Sequence, residues 1–463
     1  MDTQITDTLA LVQQIRAYEP NIVEIIFDYV FVPCSEDKEG KHKYIRAMPS
    51  PGTKTICREA FYDNKTLEWI IIDDSVKTIG YGAFHGLSEL KSITTNDSVL
   101  IIGDKAFFGC EKLRTITIPK SVTYIGNWAF NSCKNLRTIS IPASVKTIGI
   151  CAFSYCSKLA EVTIHDLVKT IGCGAFNRCS SLTHLTIGNS VTSIGEYAFA
   201  YCSSLTHMTT GESVKTIGAS AFNRCSNLVH VTISNSVETI GEYAFAYCSS
   251  LTHATIGESV ETIEYEAFNR CSKMTHLTIG NLVTSIGEDV FSYCSSLTHV
   301  TIGESVETIG YYAFYECSNL THATIGESVE TISAYAFYGC SSLTHLTIGN
   351  SVKTIGYGAF GGCSSLTYVT IGNSVKHIGN RAFHWCTSII HVTIPDSVET
   401  IEYEAFYGCS SLTHVTIPDS VEAINNGAFY ECSSLREVSI PSHLEEQVKD
   451  NKVFPEFTEV IVR

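Results

Sequence analysis

A phenylalanine stands at residues 61, 84, 107, 130, 153, 176, 199, 222, 245, 268, 291, 314, 337, 360, 383, 406 and 429, and every step is 23 residues. No insertion or deletion interrupts the count. Self-similarity at one fixed period marks a repeat architecture. An inserted domain would break the step, so the whole span is expected to be one solenoid in which each repeat packs on its neighbours. The working unit is S-V-x-T-I-G-x-x-A-F-x-x-C-S-S-L-T-H-V-T-I-G-x. A lone copy buries too little apolar surface to offset the entropy of ordering its backbone, and only stacking closes the core.

Each unit divides into parts with different periods. In L-T-H-V-T-I the β-branched residues suit a strand. Alternation points the fourth and sixth residues inward and the third and fifth, His and Thr, outward. In A-F-x-x-C-x-x-L the apolar residues are spaced as on one face of a short helix, with Cys turned to the core. Between these, S-V-x-T-I-G reads as a second short extended piece with Val and Ile inward and Gly at the corner.

The strand L-T-H-V-T-I resembles the L-x-x-L-x-L strand of leucine-rich repeats. The whole 23-residue unit, with its S-V-x-x-I-G and A-F-x-x-C-x-x-L segments, resembles the BspA-like class over about residues 44–462. The resemblance implies a leucine-rich-repeat solenoid, an α/β repeat that is mostly β. It implies a curved right-handed coil with a parallel concave β-sheet and short helical or irregular convex segments. It also implies surface antigens and adhesins of bacteria and parasitic protists.

Bare terminal rungs would expose apolar side chains and strand edges, so caps are expected. Residues 1–43 are read as an N-terminal helical cap, with a helix carrying Ile5, Leu9, Val12 and Ile15 that stops at Pro20. Residues 44–440 are the solenoid of about 17 repeats, opening on a degenerate strand at residues 44–49. Residues 441–463 are a C-terminal cap in which Phe457-Thr458-Glu459-Val460-Ile461-Val462 imitates the repeat strand and closes the stack.

The formal net charge of −16 argues against a nucleic-acid partner, which needs a basic face. No stretch approaches the length of a membrane span, so no membrane insertion is expected. Asp2 and Asp7 stand where a secretory leader carries positive charge. The expected compartment is the cytoplasm, with leaderless export to the cell surface as the alternative.

The outward third position of the strand carries His184, His207, His230, His253, His276, His299, His322 and His345, then Tyr368, then His391 and His414. These eleven residues are the candidate binding face. At the strand spacing their rings lie about 5 Å apart. Protonated neighbours would repel, which predicts depressed pKa values, and adjacent imidazoles are candidates to share Zn²⁺ or Ni²⁺. The plainer reading is a solvated polar face copied with its repeat, which a partner can still read.

Fifteen of the 19 cysteines hold one repeat position, from Cys110 to Cys432, and read as small buried core residues. Cys34, Cys57, Cys151 and Cys173 stand outside that ladder and are the expected reactive thiols. A double period sets Arg178, Arg224 and Arg270 beside Tyr201, Tyr247 and Tyr293, as in cation–π stacking. Glycosylation sequons occur at Asn64, Asn96 and Asn319.

No catalytic motif emerges and no cofactor is implied. The same surface recurs many times, whereas an enzyme needs one asymmetric pocket. The sequence therefore points to a non-enzymatic protein-binding solenoid, a scaffold or recognition module acting through its concave face, with self-association as a further possibility. A cell-surface antigen or adhesin is one alternative. A ubiquitin-ligase adaptor is another, because residues 18–27 (YEPNIVEIIF) resemble the start of an F-box, although without its Leu-Pro opening.

Overall fold

The structure is a computed structural model and describes residues 29–33, 45–49, 54–65, 67–72, 74–450 and 452–463. The expected helix before Pro20, the F-box-like run up to residue 28, and Cys34 lie outside these residues. The chain forms two compact units, Met1–Leu205 and Thr206–Arg463. Each is a parallel β-solenoid with one turn per 23-residue repeat.

Two strand ladders run through each unit. In the first, strands Trp69–Ile71 to His184–Ile187 form a six-stranded parallel sheet among the described residues. In the second, strands His207–Thr209 to Glu459–Val462 form a twelve-stranded one. Register is like on like: His230 faces His253, Val231 faces Ala254, and Thr232 faces Thr255. The other ladder consists of two-residue strands such as Thr239–Ile240 and Thr262–Ile263, again paired in parallel. Alternation works as the sequence predicts. His230 and Thr232 are exposed while Val231 and Ile233 are buried.

The segment holding Ala and Phe is where structure and sequence part. It was expected to be a short helix, and it is a run of turns in every rung. The residues two before and two after each ladder phenylalanine have positive φ, for example Tyr243 at 55° and Tyr247 at 61°. A helix would spend every amide locally. Here alternate amides turn along the stacking direction and donate to the next rung. Tyr243 N–H reaches Tyr265 O at 2.9 Å, Phe245 N–H reaches Ala267 O at 2.7 Å, and Tyr247 N–H reaches Asn269 O at 2.8 Å. The amides between them, those of Ala244 and Ala246, close local turns on Gly241 O and Tyr243 O. The left-handed backbone costs about 1–2 kcal/mol at each non-glycine residue, and the inter-rung bonds offset it.

Inside, each rung buries one set of side chains. For one rung these are Val237, Ile240, Ala244, Phe245, Cys248, Leu251, Ala254 and Ile256. The phenylalanine rings form a continuous offset stack within each unit. Centroids are 5.1 Å apart between Phe130 and Phe153 and between Phe245 and Phe268, with planes within 3° and 13° of parallel. The ladder cysteines are buried as expected, and their role is more specific than filling space. Cys271 Sγ–H donates to Phe245 O at 3.3 Å, and Cys133 Sγ–H donates to Phe107 O at 3.2 Å. Burial pushes the thiols of Cys133 and Cys271 up, and those of Cys156 and Cys294 to about 12.

At the N-terminal end, Ile45–Pro49 pairs antiparallel with Tyr29–Pro33. At the C-terminal end, Glu459–Val462 pairs in parallel with Glu437–Ile440, and Phe454 stacks on Phe429 at 5.5 Å. Between them lie a 3₁₀ turn, Ser442–Leu444, and a short helix, Glu445–Asp450, which the sequence analysis did not anticipate.

Two outcomes follow. Phe268→Ala removes one ring from the stack and should lower stability by about 3–5 kcal/mol in urea denaturation; a loss below about 1 kcal/mol would mean the stack contributes little. In the folded protein, thiol labelling should modify exposed Cys57 first. Half-buried Cys151 and Cys173, both pushed up chiefly by burial, should follow slowly. The ladder thiols should react only on unfolding, and early labelling of Cys248 or Cys271 would contradict the packing.

Candidate binding face

The sheet of longer strands presents the predicted residues on one outer face. His184 lies on it in the first unit, at the end of a row that continues from Glu161. In the second unit His207, His230, His253, His276, His299, His322, His345, Tyr368, His391 and His414 follow in unbroken register. All are exposed. The row then passes to Glu437 and Glu459. Imidazole centroids are 5.2 Å apart for His207 and His230, 5.6 Å for His276 and His299, and 5.3 Å for His299 and His322.

A threonine precedes most of these histidines, and it orients the ring. Thr298 Oγ1 lies 3.0 Å from His299 Nδ1 and donates its single hydrogen to Thr275 O, also at 3.0 Å. A hydroxyl with its hydrogen committed can only accept from the ring, so His299 carries its proton on Nδ1. The same relay holds at His253 and His322, and at His184 in the first unit. Its consequence is a row of Nε2 lone pairs turned to solvent, each a hydrogen-bond acceptor. His230 follows Val229 and His391 follows Ile390, so no hydroxyl fixes those two in this way.

The expected sharing of a metal ion by adjacent histidines does not fit this arrangement. Two Zn–N bonds of about 2.0–2.1 Å reach at most about 4.2 Å across the ion. The parallel, like-oriented rings of His276, His299 and His322 are spaced more widely than that. Among the described residues no group of three or more His, Cys, Asp or Glu is arranged to hold a metal ion.

The turn that leaves the strand lines one edge of the face. In the second unit it carries exposed Glu212, Glu258, Glu304, Glu327, Asp396 and Asp419, with asparagines between them and no cation at that position. The opposite edge carries serines, Thr387 and asparagines, with Lys273 as its one cation. Near the C-terminal end the face deepens into an open cavity of about 550 Å³, bordered by His391, Thr393, Asp396, Thr416, Asp419 and Arg463. The sequence led us to expect no pocket. The hollow forms because Arg463, from the last strand, reaches back to donate to Ile417 O, a contact no local pattern announces.

The double period is realised away from this face. Arg178 stands over Tyr201 at 4.3 Å, Arg224 over Tyr247 at 4.3 Å and Arg270 over Tyr293 at 4.2 Å. Tyr312, Tyr315, Tyr335, Tyr338 and Tyr357 form a further aromatic cluster there. The sequence reading missed it, because it combines two repeat positions, Tyr312 with Tyr335 and Tyr315 with Tyr338, and adds Tyr357 from a third. Among the described residues no helix is long and apolar enough to cross a membrane.

Comparison with known proteins settles the family. The model of the BspA type leucine rich repeat region matches residues 54–183, 169–297, 261–390 and 353–454. The chain belongs to the BspA-type leucine-rich-repeat family. Its fold is similar to that of a leucine-rich repeat protein from Bacteroides ovatus, with 27% identity, a TM-score of 0.61, and coverage of 95% of this chain and 99% of that one. A leucine-rich repeat protein from Eubacterium ventriosum is 26% identical, with a TM-score of 0.44 and coverage of 66% and 85%. A leucine rich cell surface protein from Faecalibacterium prausnitzii is 22% identical, with a TM-score of 0.36 and coverage of 94% and 93%. No curated protein matches the chain.

The tautomer assignment is open to direct test. In ¹⁵N-labelled protein at neutral pH, His299 and His322 should show the Nδ1–H form, and Thr298→Val should release His299. A dominant Nε2–H form at both residues would contradict the relay.

Proposed function

We propose that this BspA-type solenoid is a non-enzymatic protein-recognition module that binds its partner through the exposed histidine and threonine face. One observation carries the proposal. The face presents the same ring rung after rung from His253 to His345, each with Nδ1 held within 3.0 Å of the preceding threonine hydroxyl. Ordering flexible side chains is part of what binding costs, and here it is already met by the threonine relay. A uniform row also lets several weak contacts engage one elongated partner together. The aromatic rings offer contact area, and the Nε2 atoms offer hydrogen bonds of one kind.

The test uses the full chain carrying a photo-crosslinking residue in place of Thr278, whose side chain shares the face. Illumination in lysate should give discrete protein adducts. The variant His253→Glu/His276→Glu/His299→Glu, folded as judged by circular dichroism, should lose them. Adducts of equal yield from the variant would refute recognition by this face.

A further inference from the structure

The face also has a period, a chemistry and a charge, and together these specify what lies on it. Its imidazoles lie 5.2–5.6 Å apart through His207, His230 and His253 and again through His276, His299 and His322. An α-helix advances about 5.4 Å per turn. Side chains spaced alternately four and three residues apart on one helix face therefore meet successive histidines and stay in register. A single extended strand repeats on one side only every ~6.6–6.8 Å and loses register within a few rungs. The width agrees, since three strand residues such as His276–Thr278 span about 10 Å and a helix with its side chains is about 10–12 Å across.

The Nε2 lone pairs of His253, His299 and His322 require donors, and a cationic donor makes the stronger bond. The exposed carboxylates of Glu258, Glu304 and Glu327 line the adjoining edge. Such an edge attracts a cationic partner and repels an acidic one.

We infer that the second unit receives a basic α-helix of a protein partner, laid along the histidine row with one lysine or arginine per turn. This rests on the recognition reading above and narrows it to one kind of partner.

Two synthetic peptides of identical composition test it, both held helical by side-chain staples. One carries lysines alternately four and three residues apart, and in the other the same lysines wind around the helix. Binding to the full chain is followed by fluorescence anisotropy. The striped peptide should bind at least about tenfold more tightly. Glu258→Gln/Glu304→Gln/Glu327→Gln should weaken it by at least that factor. His276→Phe/His299→Phe, which keeps the stacked rings and removes two acceptors, should weaken it too. Equal affinity for both peptides, or no binding of either, would overturn the helix assignment and leave the crosslinking result standing. Loss of the face-specific crosslinks would instead remove the recognition reading itself.

Discussion

Within each unit the amides of the ladder phenylalanines donate to a carbonyl of the rung that follows, as Phe153 N–H does to Ala175 O and Phe314 N–H to Ala336 O, both at 2.7 Å. The rest of the structure depends on that bond. It needs a carbonyl of the next rung at the same height, which the constant 23-residue step supplies from Phe61 to Phe429 and which Val453 supplies in the closing cap. A single extra residue would displace the carbonyl, break the ring stack, and shift every histidine off its neighbour. The unbroken 23-residue step is the sequence record of this constraint.

Fixed register then sets each side chain against its own copies, which favours residues that gain from meeting themselves. Phenylalanine rings stack offset. The cysteine thiol finds an otherwise underused carbonyl one rung away, as Cys317 does at Phe291 O. Threonine hydroxyls before the strand hand hydrogens from rung to rung, as Thr321 does to Thr298 O. Charged residues gain less from meeting themselves, and on the surface ladders like neighbours such as Glu238 and Glu261 or Lys353 and Lys376 stand beside opposite-charge pairs. Lys215 pairs with Glu238 at 2.6 Å and Lys353 with Glu330 at 2.7 Å. These exposed pairs contribute little stability, and they avoid like-charge repulsion.

The strands were legible because alternation reports burial directly: Val231 and Ile233 in, His230 and Thr232 out. The outward histidine row followed from the same rule. The turn segment was misread because its spacing of apolar residues suits both a helical turn and a left-handed path. Glycine marks the positive-φ sites in only some rungs, as at Gly82 and Gly86, and elsewhere Tyr243, Trp128, Arg270 and Glu316 adopt positive φ without a glycine or asparagine signal. The threonine–histidine relay was also out of reach, since its direction depends on a carbonyl 23 residues away. The hollow near His391 was missed for a similar reason, because Arg463 arrives from outside the regular repeat.

Amide hydrogen exchange in protein labelled with ¹⁵N only at phenylalanine tests the inter-rung bond most directly. The amides of Phe130, Phe153, Phe245, Phe268 and Phe314 all donate between rungs. The account predicts that they exchange as slowly as the amides of the buried strand residues, and only through opening of the stack. Rapid exchange at these phenylalanines while the strand amides stay protected would show that the turn segments are not bonded from rung to rung, and would contradict the account.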